Sequence, residues 1–306
     1  MKLLVVGAGS VGGYFGGRLA QAGRDVTFLA RPARAAQLRS RGLEIVSPYG
    51  DVTLQPKVVT ADALDGPYDA IILSVKAYAL DAAVADLAPA VGPDTMILPV
   101  LNGMRHVDVL TARFDAHAVA GCACKVATIL DGEGRIIQLS KLQDFAYGEM
   151  DGTRSERIER LDQTLTGAGF TARLSPVIAR EMWEKWTLLA ALGGITCLMR
   201  GNIGEIEAAP GGRDFSLAFL DEVVSVISAA GVPPSAEFLA MARAQLTEKG
   251  SAWASSMYRD LQNDRPVEAD QILGDLSARG AKAGIPTPLI SASYANLSIY
   301  AQGLKA

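Results

Sequence analysis

The chain opens on "KLLVVGAGSVG", Lys2 to Gly12, and no other stretch constrains its fold as much. Leu3 to Val6 is an unbroken apolar run closed by glycine, as expected of a strand buried on both faces. Gly7, Gly9 and Gly12 stand in G-x-G-x-x-G register, and a helical pattern follows to about Ala22. Gly23 and a second apolar strand, "DVTFLA", complete a β-α-β unit of about thirty residues. Each glycine has a physical task. Gly7 permits a tight turn, Gly9 lets the backbone approach a diphosphate, and Gly12 lets the helix pack closely on the strand. Free N–H groups and the dipole at the helix N-terminus favour an anion. The loop of Gly7, Ala8, Gly9, Ser10, Val11 and Gly12 is therefore expected to bind a dinucleotide. The alternative is a glycine-rich turn with no ligand.

The alternation continues through "DAIILSV" (Asp69 to Val75), a helical pattern from Leu80 to Leu87, and "TMILPVL" (Thr95 to Leu101). Strands alternating with helices predict a mainly parallel, doubly wound sheet of the Rossmann type. A strand-rich stretch, about Ala118 to Gly148, is expected to extend that sheet. From about Ser175 the period is helical: Pro176 to Arg200, Arg213 to Gly231, Ser235 to Lys249, Val267 to Ala283 and Leu289 to Gln302. The reading is an α/β N-terminal domain, residues 1–174, that binds the cofactor, followed by an all-α substrate and catalytic domain, residues 175–306. A chain of 306 residues is long for a single core, which agrees.

Composition removes several function classes. At 49% hydrophobic and 20% charged the chain reads as globular. A formal charge of -4 without a basic stripe argues against nucleic acid as a partner. Cys122, Cys124 and Cys197 form no C-x-x-C pair and suit a reduced, cytoplasmic setting. The apolar start is too short for a signal peptide, and the uncharged run Thr187 to Met199 is too short to cross a membrane. The only histidines are His106 and His117; His106, after "LNGMR", reads as a surface imidazole rather than a residue opposite a nicotinamide, and no Cys/His cluster or H-E-x-x-H suggests a metal. The three tryptophans read as core or site wall.

The end of the second strand selects the nucleotide. Where an NAD site carries Asp or Glu, this chain reads "FLARPAR", with Arg31 in that place and Arg34 three residues on. Guanidinium groups suit a 2′-phosphate, so NADPH is expected over NADH. Lys76, after "IILSV", and Asn102, after "ILPVL", follow strands at the edge where such sheets bind ligands. Both are also consistent with plain loop and turn residues. One further lysine stands out. At helical spacing Ile178, Met182, Leu189 and Leu192 line one face, and Lys185 falls in its middle. It is either a site residue or half of an i,i+4 pair with Glu181.

The segments "GAGSVGGYFGGRLAQAG", "SVKAYAL", "LNGM", "WEKW", "GNIGEI" and "SSMYRDLQNDRPVEADQILG", in order from Met1 to about Leu297, resemble the ketopantoate reductase (2-dehydropantoate 2-reductase) family. The resemblance implies a Rossmann-type domain, a helical domain and an active site in the cleft between them. It implies NADPH-dependent reduction of a 2-oxo acid to a 2-hydroxy acid, ketopantoate to pantoate in pantothenate and coenzyme A biosynthesis. Residue by residue, it makes Lys185 the catalytic proton donor, with Glu268 beside it. Asn102 and Lys76 match residues on the cofactor and substrate side, Ser256 and Glu268 match substrate-binding residues, and Gly7, Gly9, Gly12 and Arg31 match the NADP site. Four and eight residues after its lysine the family usually has asparagine; here stand Leu189 and Gly193. Asn202 lies one position from another family asparagine. Two alternatives stay open: a reductase of a different 2-oxo acid, and an NADPH sensor without chemistry. A homodimer is compatible with either.

Overall fold

A computed structural model describes residues Met1 to Leu304, so the last two residues of the expected second domain lie outside the described residues. The chain forms two compact units, Met1–Leu101 with His106–Ala179, and Asn102–Arg105 with Arg180 onward. The division falls at Ala179/Arg180 rather than near Ser175, because Ile178 is buried in the first unit against Gly121 and Gly148.

The first unit runs β1 (Lys2–Val6), α1 (Ser10–Gln21), β2 (Asp25–Leu29), α2 (Pro32–Arg41), β3 (Leu43–Val46), β4 (Val52–Leu54), β5 (Lys57–Val59), β6 (Ala70–Leu73), α3 (Leu80–Leu87), β7 (Met96–Pro99) and α4 (Arg105–Phe114). It continues through β8 (Ala120–Leu130), β9 (Ile136–Glu149), α5 (Glu156–Leu165) and β10 (Thr171–Leu174). One sheet is all parallel in the order β5-β2-β1-β6-β7. Its central strands are mostly apolar because both faces are covered. Leu3, Val5, Phe28 and Ile72 enter one core, while Leu4, Val6, Leu29 and Ile71 enter the other, as the two-residue period of a strand requires.

The stretch expected to extend this sheet instead builds a second one. β8 and β9 form a long antiparallel hairpin; β9 also pairs in parallel with β3 and β10, and β4 closes the edge. A single bridge, Ile97 to Val119, joins the two sheets. The cause is the glycine pattern of α1, which is packed on from both sides. A Cβ on Gly16 would stand 2.8 Å from Phe28 and Val5 of the first sheet. One on Gly13 or Gly17 would stand 2.4 or 2.5 Å from Ile136 or Leu43 of the second. Phe15 locks the second sheet with edge contacts to Phe145 at 4.7 Å and Phe170 at 5.0 Å.

The second unit is helical: α6 (Ile178–Met199, its first turn in the first unit), α7 (Ile203–Ala208), α8 (Gly212–Ala230), α9 (Ala236–Leu246), α10 (Ser256–Gln262), α11 (Asp275–Ala283) and α12 (Pro288–Gly303). Trp186, Ile195, Phe219, Val223, Leu276 and Leu297 form its core, all buried. Gly194 admits the Phe219 ring, since a Cβ there would lie 2.1 Å from it. No described helix is long and apolar enough to cross a membrane.

Candidate active site

The glycine loop of the first unit leaves β1 at Gly7, whose φ of +97° is open to glycine and strained for other residues. Its N–H donates to the Leu29 carbonyl at 3.0 Å and ties the turn to β2. A Cβ on Gly7 would stand 2.3 Å from the Ser74 carbonyl, and one on Gly12 2.3 Å from the Gly7 carbonyl. Gly9 differs, because a Cβ there would meet no protein atom within 4 Å. Packing does not demand glycine at that position; close approach of a ligand does. Gly9 caps α1 without a side chain, and the first turn carries no acid. Its free N–H groups and the dipole suit an anion. The loop fits a dinucleotide's diphosphate. β1 and β6 are neighbours from which the chain departs in opposite directions along the sheet, the point where doubly wound sheets bind nucleotides. Lys76 is exposed at the carboxyl end of β6, where it opens a short turn, Ala77–Ala79.

The two arginines of "ARPAR" separate in the structure. Arg31 is exposed at the N-cap of α2, and no acid stands between it and β2. Arg34 is half-buried and committed elsewhere. Its Nε donates to the Ala8 carbonyl at 3.0 Å, and Nη1 donates to the Gly134 carbonyl at 2.9 Å and to Gln37 at 2.6 Å. Burial lowers the pKa of its guanidinium. Arg34 thus fastens the glycine loop to the tip of the β8–β9 hairpin, a role its sequence spacing does not signal. His106, expected at the surface, is buried in α4. His117 lies with its Nε2 3.1 Å from Nη1 of Arg157.

In the second unit, Asn102, Ser256, Asp260 and Glu268 line one cavity. Its remaining walls are Leu189, Met257 and Ile272, with Ser255 at the edge. Lys185 is half-buried on α6 one turn before Leu189, at a spacing that puts their Cβ atoms about 6 Å apart. Ser255 is spent as a cap: its Oγ accepts from the Tyr258 N–H at 2.9 Å and lies 2.9 Å from Oγ1 of Thr196. Ser256 follows, exposed, as the first residue of α10. Asn202 caps α7 in a reciprocal box with Glu205, a structural role. Cys197 is buried on α6, and burial pushes its thiol up to about 12, so it is no nucleophile.

What holds Glu268 and Asn102 at this cavity is invisible in the pattern. The stretch expected as one helix from Val267 begins with a π turn, Asp270–Gly274, a feature enriched at functional sites. The Ile272 N–H donates to the Glu268 carbonyl at 3.0 Å, and the buried Trp186 indole donates to the Ile272 carbonyl at 3.1 Å. Buried Gln271 donates from Nε2 to the Asn102 carbonyl at 3.1 Å. Gly103, at φ +82°, lets that turn close, since a Cβ there would lie 2.9 Å from the Gln271 carbonyl. A single π turn leaves no periodic trace, so Gln271 and the anchoring role of Trp186 escape sequence reasoning.

Residues 3–152 match the family model for ketopantoate reductase PanE/ApbA, and residues 177–301 match its C-terminal model. The chain belongs to the ketopantoate reductase family. It is 37% identical over 300 residues to the uncharacterized oxidoreductase YkpB of Bacillus subtilis, covering 98% of this chain and 99% of that one. It is 27% identical over 319 residues, 96% of each chain, to a 2-dehydropantoate 2-reductase of Mesorhizobium japonicum. A PanE/ApbA family ketopantoate reductase from Ralstonia eutropha superposes with a TM-score of 0.88 over 100% of both chains at 23% identity, which shows the fold alone. The N-terminal match spans the glycine loop, and the C-terminal match spans Lys185, Ser256 and Glu268.

Proposed function

We propose that this protein is an NADPH-dependent reductase that converts a 2-oxo acid into the 2-hydroxy acid, with ketopantoate, the substrate in the names of several relatives, as the first candidate. The observation that carries the reading is one cavity lined by Asn102, Ser256 and Glu268, one helical turn from Lys185. Exposed Arg31 supports NADPH over NADH, because a guanidinium suits the 2′-phosphate that NADH lacks.

The nicotinamide, when bound, supplies a hydride for the carbonyl carbon. The carbonyl oxygen then carries a developing negative charge. The Lys185 ammonium is the group to stabilise that charge and give the oxygen its proton, which completes the hydroxyl. Ser256 is placed to donate its hydroxyl to the acid's carboxylate. Asn102, fixed from behind by Gln271, is placed to orient the carbonyl. The Glu268 carboxylate can accept hydrogen bonds but not donate them, so it suits a donor: a substrate hydroxyl or the Lys185 ammonium. A sensor that binds NADPH without chemistry has no use for a proton donor beside an acid-binding cavity.

The test is NADPH oxidation by the purified protein over a panel of 2-oxo acids that includes ketopantoate. Saturable oxidation with at least one acid is the expected result. NADPH binding without turnover of any acid would leave the sensor reading in its place.

A further inference from the structure

Glycine at 193 needs an explanation that helix stability cannot give, since glycine inside a helix is destabilising by about 1 kcal/mol relative to alanine. Gly193 is buried in α6, two turns beyond Lys185. A Cβ on it would lie 2.7 Å from Cε of Met257, a distance real Cβ atoms essentially never show, and apart from the neighbouring backbone of its own helix no other atom lies within 4 Å of that Cβ position. The Met257 methyl therefore occupies the space that any side chain at 193 would take. Met257 is itself a wall of the cavity, with Leu189 and Ile272. The first turn of its helix is held by the Ser255 cap on the Tyr258 N–H and the contact of that hydroxyl with Thr196, so the flexible thioether is the part free to move.

A 2-oxo acid carries a carboxylate and a carbonyl, which need polar partners, and a substituent. Asn102, Ser256, Asp260 and Glu268 provide the polar side of the cavity. Leu189, Met257 and Ile272 offer only carbon and sulfur. We infer that the acid's substituent is hydrocarbon where it lies on these three side chains, and that Met257, seated by Gly193, sets its length. The inference rests on the reductase reading above.

The experiment measures kcat/KM with NADPH for wild type, Met257→Ala and Gly193→Ala over unbranched 2-oxo acids from 2-oxobutanoate to 2-oxooctanoate. One methylene in an apolar pocket discriminates by about 10- to 200-fold, so profiles of this kind have a resolvable optimum. Met257→Ala should move the optimum to longer acids and raise the ratio of long to short by about 10-fold or more. Gly193→Ala should push the methyl into the cavity and move the optimum to shorter ones. Should Met257→Ala fail to fold, Gly193→Ala decides alone. Variants that scale every acid by one factor would overturn this inference and leave the reductase standing. A wild type that reduces none of the acids, ketopantoate included, would overturn both.

Discussion

Arg31 and Arg34 stand three residues apart and serve different ends. Arg31 is exposed at a helix start, while Arg34 is threaded between the Ala8 and Gly134 carbonyls. Arg31→Ala should weaken NADPH toward the affinity of NADH and change stability by no more than about 0.5 kcal/mol, as surface substitutions do. Arg34→Ala removes three hydrogen bonds from a charged donor, each contributing about 1.5–3 kcal/mol, so it should lower the urea midpoint and weaken both cofactors together. Fluorescence titration of the two cofactors, with urea unfolding of each variant, separates the roles. Equal effects of the two substitutions on cofactor choice would contradict the assignment. At this scale the sequence was informative where chemistry restricts the residue type. Glycines at 7, 9 and 12, an arginine in place of an acid, and a lysine on an apolar face each have few explanations. Arg34 had many, because a guanidinium bonding to backbone carbonyls depends on chain segments about a hundred residues apart.

Elements were legible by their period and illegible where two of them meet. β1, α1, β6, α3 and the long helices of the second unit follow from apolar spacing alone. The second sheet did not, because a strand pattern records that a face is buried and not which sheet it joins. The glycines of α1 did hold that information: small residues on two sides of one helix mean two close neighbours. The π turn before α11 was equally hidden, and its anchor is testable. Trp186→Phe removes the indole donor from the buried Ile272 carbonyl, at a cost of about 1–3 kcal/mol. It should also raise KM for the 2-oxo acid more than it lowers NADPH affinity. Unchanged stability and KM would mean that the turn holds itself.

A second element-scale prediction concerns the end of β9. Glu149 is buried there, and burial alone would raise its pKa. Hydrogen bonds from Arg157, at 2.7 Å to both carboxylate oxygens, and from Ser155 outweigh that effect and hold the pKa below the ordinary value. Because the folded value is the lower one, the pair's stabilisation is fully present above the unfolded pKa of about 4.3 and is lost as pH falls through the folded value. Urea unfolding of wild type should therefore show stability dropping in that acid range. Arg157→Ala strands a buried carboxylate, so it should cost about 3–5 kcal/mol near neutral pH and flatten that drop. A variant with the wild-type acid profile would contradict the pairing.

For the whole molecule, the sequence divides the work as it divides the chain. The glycine loop, Arg31 and Lys76 belong to the first unit; Asn102, Lys185, Ser256 and Glu268 belong to the second. The four-residue segment Asn102–Arg105 is the exception in chain order, an excursion that brings Asn102 onto the π turn beside Glu268. That excursion was the part of the site least readable beforehand, since an Asn-Gly pair reads as an ordinary turn. The division makes the central claim separable: a change at Lys185 should stop the chemistry and spare the cofactor. The measurement is kcat for Lys185→Ala with NADPH and the best 2-oxo acid saturating, alongside the NADPH dissociation constant. We expect that constant to stay near wild type and kcat to fall by about 10²–10⁴-fold or more. Lys185→Arg should fare little better, since a guanidinium keeps the charge but does not give up its proton in proteins. A Lys185→Ala protein with near-normal kcat would contradict the account.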